Sequence, residues 1–313
     1  MSGRRLLICA TPLHALIAER LIAAEPAQWQ LLFYTTHDND KARRYYQRLA
    51  AQCVRSRYVV LGRGSAGNLA RMRLAALGWG RLDVVYLGSA NEWLVHYLLS
   101  KLRYRRLETF DDGLGNLIRG GLFDVPKPRG SKRALISALI GVRHDLNTIR
   151  AQSARHHTIY RQPNTFERAH YLPLFDAPAD AAPPTRWLRV FLGQPLYEAD
   201  RERSRATNQT AVDALQPDLY FPHPREDYAV TGVERAEVPE VFEDWLVQRL
   251  QGDPELGVEV SSFFSSSLLS VAGWPRVRTL AVEIAEPRWQ AVYALLCEAG
   301  IPLTSLDALD KER

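Results

Sequence analysis

Short apolar runs alternating with amphipathic stretches constrain this chain more than any other feature. Leu6–Ala10, Gln30–Tyr34, Tyr58–Leu61, Leu82–Leu87 and Arg106–Phe110 read as strands. Between them Leu13–Ala23, Lys41–Cys53, Asn68–Leu77 and Glu92–Leu102 read as helices, and Pro12 stands where a first helical turn accepts proline. Strands separated by helices imply a parallel sheet with right-handed crossovers. The alternation stops at residues 176–185, DAPADAAPPT, a proline-rich stretch that reads as an interdomain linker. It then restarts with strands at Leu188–Leu192, Asp218–Phe221, Val258–Val260 and Arg278–Val282, and helices at Arg201–Leu215, Val241–Leu250 and Trp289–Ala299. The pattern predicts an α/β protein of two Rossmann-like domains, residues 1–180 and 186–313, whose parallel sheets face a central cleft. Ligands of such sheets bind beyond the carboxyl ends of the strands.

Composition narrows the class. Apolar residues make up 46% of the 313 positions and charged residues 24%, which builds cores and excludes disorder as the main state. The formal net charge of +5 comes from arginine. It suits an anionic sugar nucleotide or an anionic membrane face, but a codon bias toward arginine gives the same excess, so no nucleic-acid partner is inferred. Cys9, Cys53 and Cys297 lie far apart, with neither a zinc spacing nor a disulfide framework. Leu6–Ala10 is too short for a signal-peptide core, and no run of 18 apolar residues occurs. A cytoplasmic enzyme is expected, with peripheral contact to the inner membrane allowed.

Several motifs fall at predicted strand ends. Asp111-Asp112-Gly113 closes the fifth strand. Adjacent carboxylates disfavour simultaneous ionisation, which suits a general base, although Asp-Gly is also a common turn pair. His223 stands between Pro222 and Pro224; the prolines fix where the imidazole points, toward a phosphate or a leaving group if it has a role. Ser265, Ser266 and Ser267 precede Leu268-Leu269, where hydroxyls and amides at a helix start form an anion site or merely a cap. Gly193-Gln194-Pro195 follows LRVFL, and Thr11-Pro12-Leu13-His14 holds the equivalent place in the first half. Gly193 allows close approach of a ligand or a plain turn. Paired aspartates can ligate magnesium, but a DxD spacing is absent, so a reaction without metal or other cofactor is predicted.

Taken in order, these motifs resemble those of bacterial sialyltransferases of the glycosyltransferase family 52 type, the lipooligosaccharide sialyltransferases, and their marine-type and polysialyltransferase relatives. The resemblance rests on Asp111-Asp112-Gly113, His223-Pro224, the serines at 265–267, TPLH at 11–14 and GQPL at 193–196. It implies a GT-B fold and inverting, metal-independent transfer of a sialic acid or related nonulosonate. The donor is a CMP-sugar, and the acceptor a glycan or glycolipid of lipopolysaccharide or capsule type. It implies Asp112 as base beside Asp111, His223 at the CMP phosphate, and Ser266 and Ser267, or Ser265, as phosphate ligands. Glu243, within Phe242-Glu243, is implied at the ribose. Gly193, Gln194 and Pro224 fall on the donor side, and Thr11 and His14 on the acceptor side. Relatives also suggest a homodimer. A UDP- or GDP-sugar transferase of the same fold and a non-catalytic polysaccharide-assembly protein are the competing readings.

Overall fold

The computed structural model describes residues 3–121, 124–126, 130–175, 182–197 and 199–311. The chain divides into two compact units, Met1–Leu174 and Phe175–Arg313. The first runs β1 (Arg4–Cys9), α1 (Pro12–Ala24), β2 (Gln28–Thr35), α2 (Asp40–Ala50), β3 (Arg55–Val60), α3 (Ser65–Ala75), β4 (Arg81–Leu87), α4 (Trp93–Leu99), β5 (Arg103–Phe110), α5 (Ser131–Leu139), α6 (Leu146–Gln152), β6 (Ser153–Thr158) and β7 (Ala169–Tyr171). Its sheet has the order β3-β2-β1-β4-β5-β6-β7, every pairing parallel. Leu6, Leu7, Ile8 and Cys9 are all buried because a central parallel strand is covered on both faces and reads as a continuous apolar run. Thr11 caps α1 by accepting from the His14 amide at 3.2 Å, and Asn39 caps α2 by accepting from Ala42 at 2.8 Å. These caps satisfy helix-end donors that would otherwise be orphaned.

The second unit runs β8 (Arg186–Leu192), α7 (Arg201–Leu215), β9 (Leu219–Phe221), β10 (Glu234–Arg235), α8 (Phe242–Gly252), β11 (Leu256–Ser262), α9 (Ser266–Val271), β12 (Val277–Glu283), α10 (Gln290–Glu298), β13 (Leu303–Ser305) and α11 (Leu306–Lys311). Its sheet has the order β10-β9-β8-β11-β12-β13, again wholly parallel. In each sheet the strand order reverses once, at β1/β4 and at β8/β11. Ligands of doubly wound sheets bind at such reversal points. The α/β class with two Rossmann-like parallel sheets is therefore as the sequence predicts.

The differences are local. The sequence gives no sign of β6, because His156 and His157 interrupt its pattern. Both are buried, and both bond to carboxylates on or just after β5: His157 Nε2 to Glu108 at 2.7 Å and His156 Nε2 to Asp111 at 2.9 Å. β7, β10 and β13 are three residues or fewer, too short to show a period. β11 runs through Ser262 rather than stopping at Val260, because the Ser262 hydroxyl donates to the Leu192 carbonyl at 2.8 Å and so tolerates full burial. Of the proline-rich stretch at 176–185, residues 176–181 lie outside the described residues. Among the described residues, no helix is long and apolar enough to cross a membrane.

A Cβ at Gly257, the second residue of β11, would meet Trp187 at 2.7 Å and Pro184 at 2.8 Å. Gly257→Ala is expected to lower stability by about 1–3 kcal/mol through overpacking, read from urea or thermal unfolding. Gly252→Ala, with nothing within 4 Å of the added carbon, is the control and should change little.

Candidate functional site

In the first unit the site grows from the loops that follow β1, β4 and β5. Thr11 and Pro12 start α1, and the first turn swings the His14 ring back over the end of β1. The Ala10 amide donates to His14 Nδ1 at 3.1 Å, so in the neutral ring the proton sits on Nε2. That nitrogen lies 2.8 Å from Asp112 Oδ1. His14 is fully buried, whereas the Asp112 side chain keeps 18% of its surface exposed. Both imidazole nitrogens are thus committed inward, and the carboxylate is the member of the pair that meets solvent. The ring is held edge-on to Phe110, with centroids 5.3 Å apart. It fits only because residue 88 is glycine: a Cβ there would stand 2.6 Å from His14 Cε1.

Asp111 plays a different part from its neighbour. It is 0% exposed. Its Oδ1 accepts from His156 Nε2 at 2.9 Å and from Asn164 Nδ2 at 3.0 Å, and its Oδ2 accepts from the Ile159 amide at 2.7 Å. A carboxylate so enclosed ties the end of β5 to β6 and the 159–164 loop; it offers no face to an acceptor. Gly113 has φ +79°, a left-handed conformation that glycine adopts without strain. The turn it starts is fixed by the Asp112 amide donating to Asn116 Oδ1 at 2.6 Å.

In the same unit, the starts of α3, α4 and α6 border a cavity of about 460 Å³, lined by Asn68, Asn91, Glu92, Trp93 and Arg133 among others. An indole, amides and a charged pair are groups that can hold sugar hydroxyls. Burial pushes the Tyr34 hydroxyl well up, and the charges of Asp112 and Glu92 add to the shift.

In the second unit the loops after β8, β9 and β11 meet. His223 follows β9 and is half-buried. Its Nδ1 accepts the Arg225 amide at 3.1 Å, which again leaves the neutral ring protonated on Nε2. Its own amide donates to Glu226 Oε2. Glu226 also accepts from the Tyr220 hydroxyl at 2.5 Å, and burial pushes its carboxyl up. Pro224 is exposed. At Gly193 the close approach comes from the protein itself: a Cβ would meet the Tyr220 hydroxyl and Glu226 Oε2. Gln194 ties the β8 loop to the end of β11, its Oε1 accepting from the Phe264 amide at 2.8 Å.

The serine segment is the cap of α9. Ser265 accepts from the Ser267 amide at 3.2 Å, Ser266 is half-buried, and the Ser267 hydroxyl donates to Glu243 Oε1 at 2.7 Å. The long sequence interval between Glu243 and the serines closes because α8 packs beside α9. Burial pushes the Glu243 carboxyl up, the Ser267 and Ser270 hydroxyls opposing it.

The pattern that defines Glycosyltransferase family 52 matches residues 27–286. The chain belongs to that family. It is similar to the CMP-N-acetylneuraminate:beta-galactoside alpha-2,3-sialyltransferase of Pasteurella multocida, with 31% identity over 95% of this chain and 97% of that one. It is similar also to the N-acetyllactosaminide alpha-2,3-sialyltransferases of Haemophilus influenzae (29%, 95% and 98%) and Neisseria meningitidis (28%, 97% and 86%). In fold it resembles the glycosyltransferase SnogD of Streptomyces nogalater, with TM-score 0.50, 14% identity and coverage of 99% and 88%. It likewise resembles TcCGT1 in complex with UDP, with TM-score 0.51, 9% identity and coverage of 99% and 89%. The fold is thus of GT-B type.

In this family 52 glycosyltransferase the structure brings together Thr11, His14 and Asp112 in one unit, and Glu243 with Ser265–Ser267 in the other. Sequence reasoning missed Gly88, Asn164, His156 and Glu226. Gly88, Asn164 and His156 act on residues far away in the chain, and Glu226, although it bonds the nearby Tyr220 and His223, belongs to no motif that sequence reasoning used. Glu243 supplies a pH test. Its folded-state pKa is raised, so ionising it is less favourable in the folded chain than in the unfolded one. Stability is lost as pH rises from the ordinary carboxylate value, about 4.3, through the raised value. Glu243→Gln keeps an Oε1 acceptor for Ser267 and removes that loss. Its unfolding temperature relative to the parent is expected to climb as pH rises above the ordinary carboxylate range. A pH-independent difference would show that Glu243 carries no such penalty.

Proposed function

We propose that this enzyme transfers a sialic acid or related nonulosonate from a CMP-sugar to a glycan acceptor of lipopolysaccharide or capsule type, with inversion and without metal. The observation that carries the proposal is the Ala10–His14–Asp112 chain: a carboxylate that reaches solvent, oriented by a buried imidazole whose tautomer the backbone sets. The names of the family relatives supply the donor and the sugar class.

Departure of CMP from a nonulosonate leaves an oxocarbenium-like carbon and new charge on the phosphate. In the proposed reaction Asp112 takes the acceptor hydroxyl proton as that oxygen attacks the anomeric carbon. His223, protonated on Nε2, donates to the departing phosphate together with the Ser266 and Ser267 hydroxyls. Glu243 takes the ribose hydroxyls. The proposed course is a single displacement, hence inversion. The hydroxyl and imidazole donors are proposed to meet the phosphate charge without a metal. The cavity lined by Asn91, Trp93 and Arg133 is proposed to take part of the acceptor.

Asp112→Asn keeps an oxygen for His14 and removes the base. It is expected to lower kcat by roughly 10²- to 10⁴-fold while CMP binding, measured by calorimetry, is retained; unchanged turnover would remove Asp112 from the chemistry. The donor is tested separately by thermal shift. CMP is expected to raise the unfolding temperature more than UDP or GDP at equal concentration, and a larger shift with UDP or GDP overturns the CMP assignment.

A further inference from the structure

Four strands of the first unit begin on arginine: Arg4 on β1, Arg55 on β3, Arg81 on β4 and Arg103 on β5. Arg81 and Arg103 are Cα partners in the parallel β4–β5 ladder. Two exposed guanidinium side chains therefore stand side by side, an arrangement that like-charge repulsion opposes. They border a cavity of about 960 Å³ whose wall also carries Arg73, Lys101, Arg143 and His144, with no Asp or Glu among its described residues. The cavity lies at the amino edge of the sheet. The length of β5, eight residues or about 25 Å, separates that edge from Asp112, so the cavity is no part of the site described above.

Helices end at this edge, and their last carbonyls account for some of the cations. Arg57 donates to the Leu74 and Ala75 carbonyls at 2.7 and 2.8 Å, Lys101 to the Ile140 carbonyl at 2.6 Å, and Arg143 to the Ser100 carbonyl at 3.2 Å. A helix end contributes roughly half a negative charge, so these ends offset only a small part of the positive charge gathered here. Among the described residues, Arg73, Arg81 and Arg103 have no ion pair. The acids closest in sequence to Arg81 and Arg143 are engaged: Asp83 accepts from the Arg4 amide at 2.8 Å, and Asp145 caps α6 by accepting from the Thr148 amide at 2.8 Å. Burial and the adjacent Arg55 charge hold the Arg57 guanidinium below its ordinary value; the second cause shows that the local field is positive. The aromatic rings of the wall are already occupied. Trp79 is buried, with Arg55 and Arg57 over its ring at 4.8 and 5.2 Å, and Tyr104 lies against the His144 ring with centroids 6.4 Å apart. A nucleic-acid strand therefore finds no platform for its bases, and phosphate is what the wall can recognise.

We propose that this cavity is an anion site for a compact ligand carrying several phosphate groups, such as a multiply phosphorylated saccharide, held by Arg73, Arg81, Lys101, Arg103 and Arg143. Guanidinium forks match phosphate oxygens in pairs. Each phosphate monoester brings close to two negative charges, so several of them on one scaffold relieve the repulsion that the fold sustains between Arg81 and Arg103. A concave wall of this volume encloses a small molecule. The site does not depend on the donor or the acceptor assigned above, and its test reads binding rather than turnover.

The full-length protein is titrated by calorimetry with inositol hexakisphosphate, tripolyphosphate and inorganic phosphate. Saturable binding is expected for inositol hexakisphosphate, weaker for tripolyphosphate and weakest for inorganic phosphate, and it should weaken with salt. Arg81→Glu/Arg103→Glu should reduce the affinity for inositol hexakisphosphate on the order of ten-fold or more. Arg186→Glu/Arg249→Glu, an equal charge change at exposed positions of the second unit, should alter it by less than about two-fold. Without ligand, Arg81→Gln should unfold at or above the parent's temperature, since it relieves the repulsion, and inositol hexakisphosphate should raise its unfolding temperature less than the parent's. No binding by the parent, equal binding by the Arg81→Glu/Arg103→Glu variant, or an equal loss in the second-unit variant overturns the proposal. So does displacement of inositol hexakisphosphate by CMP, which would put its phosphates in the donor site. Tighter binding of a DNA duplex through the same arginines overturns it too, and would make the groove a nucleic-acid surface.

Discussion

One backbone amide orients the candidate site of the first unit. The Ala10 N–H, at the end of β1, donates to His14 Nδ1, and that single bond decides which ring nitrogen carries the proton. The Nε2–H is then aimed at Asp112 Oδ1. Every other feature nearby keeps this line straight. Thr11 starts the helix that carries the ring, Gly88 makes room for it, and Asp111 locks the end of β5 so that Asp112 cannot drift. A histidine with both nitrogens occupied orients another group and does not act as a base toward an acceptor. The parallel sheet makes the arrangement available, because the loops after β1, β4 and β5 emerge at the same edge.

The second unit solves a related problem with buried acids. Glu226 and Glu243 are carboxylates pushed up by burial, and each is bonded to residues of the proposed donor site. Glu226 holds the turn that presents His223, and Glu243 gathers the hydroxyls of α9. Burying a carboxylate costs stability unless donors surround it. Here the hydrogen-bond donors are the Tyr220, Ser267 and Ser270 hydroxyls and the His223 amide. Stability forgone at such positions is a common feature of binding sites.

What could be read from the residues alone was the periodic part. The alternation of apolar runs with amphipathic stretches gave the strands β1 to β5 and the two-sheet α/β class, since central parallel strands must be apolar on both faces. Thr11, Asp112, His223 and the serines could be singled out because each follows such a strand. β6 was hidden: its histidines read as polar until Glu108 and Asp111 are seen opposite them. Glu243 lay too far along the chain from the serines for spacing to join them, and α8 packing beside α9 does so.

The sequence by itself determined the class of fold, the edge at which chemistry gathers and the residue types available there, because local periodicity and strand-end position are properties of neighbours along the chain. Tertiary structure decided the division of labour. Asp111 and Asp112 are adjacent and chemically identical, yet one is sealed among His156, Asn164 and the Ile159 amide while the other meets His14 and solvent. Successive residues leaving a strand point in opposite directions, and only the packed fold determines which direction is interior.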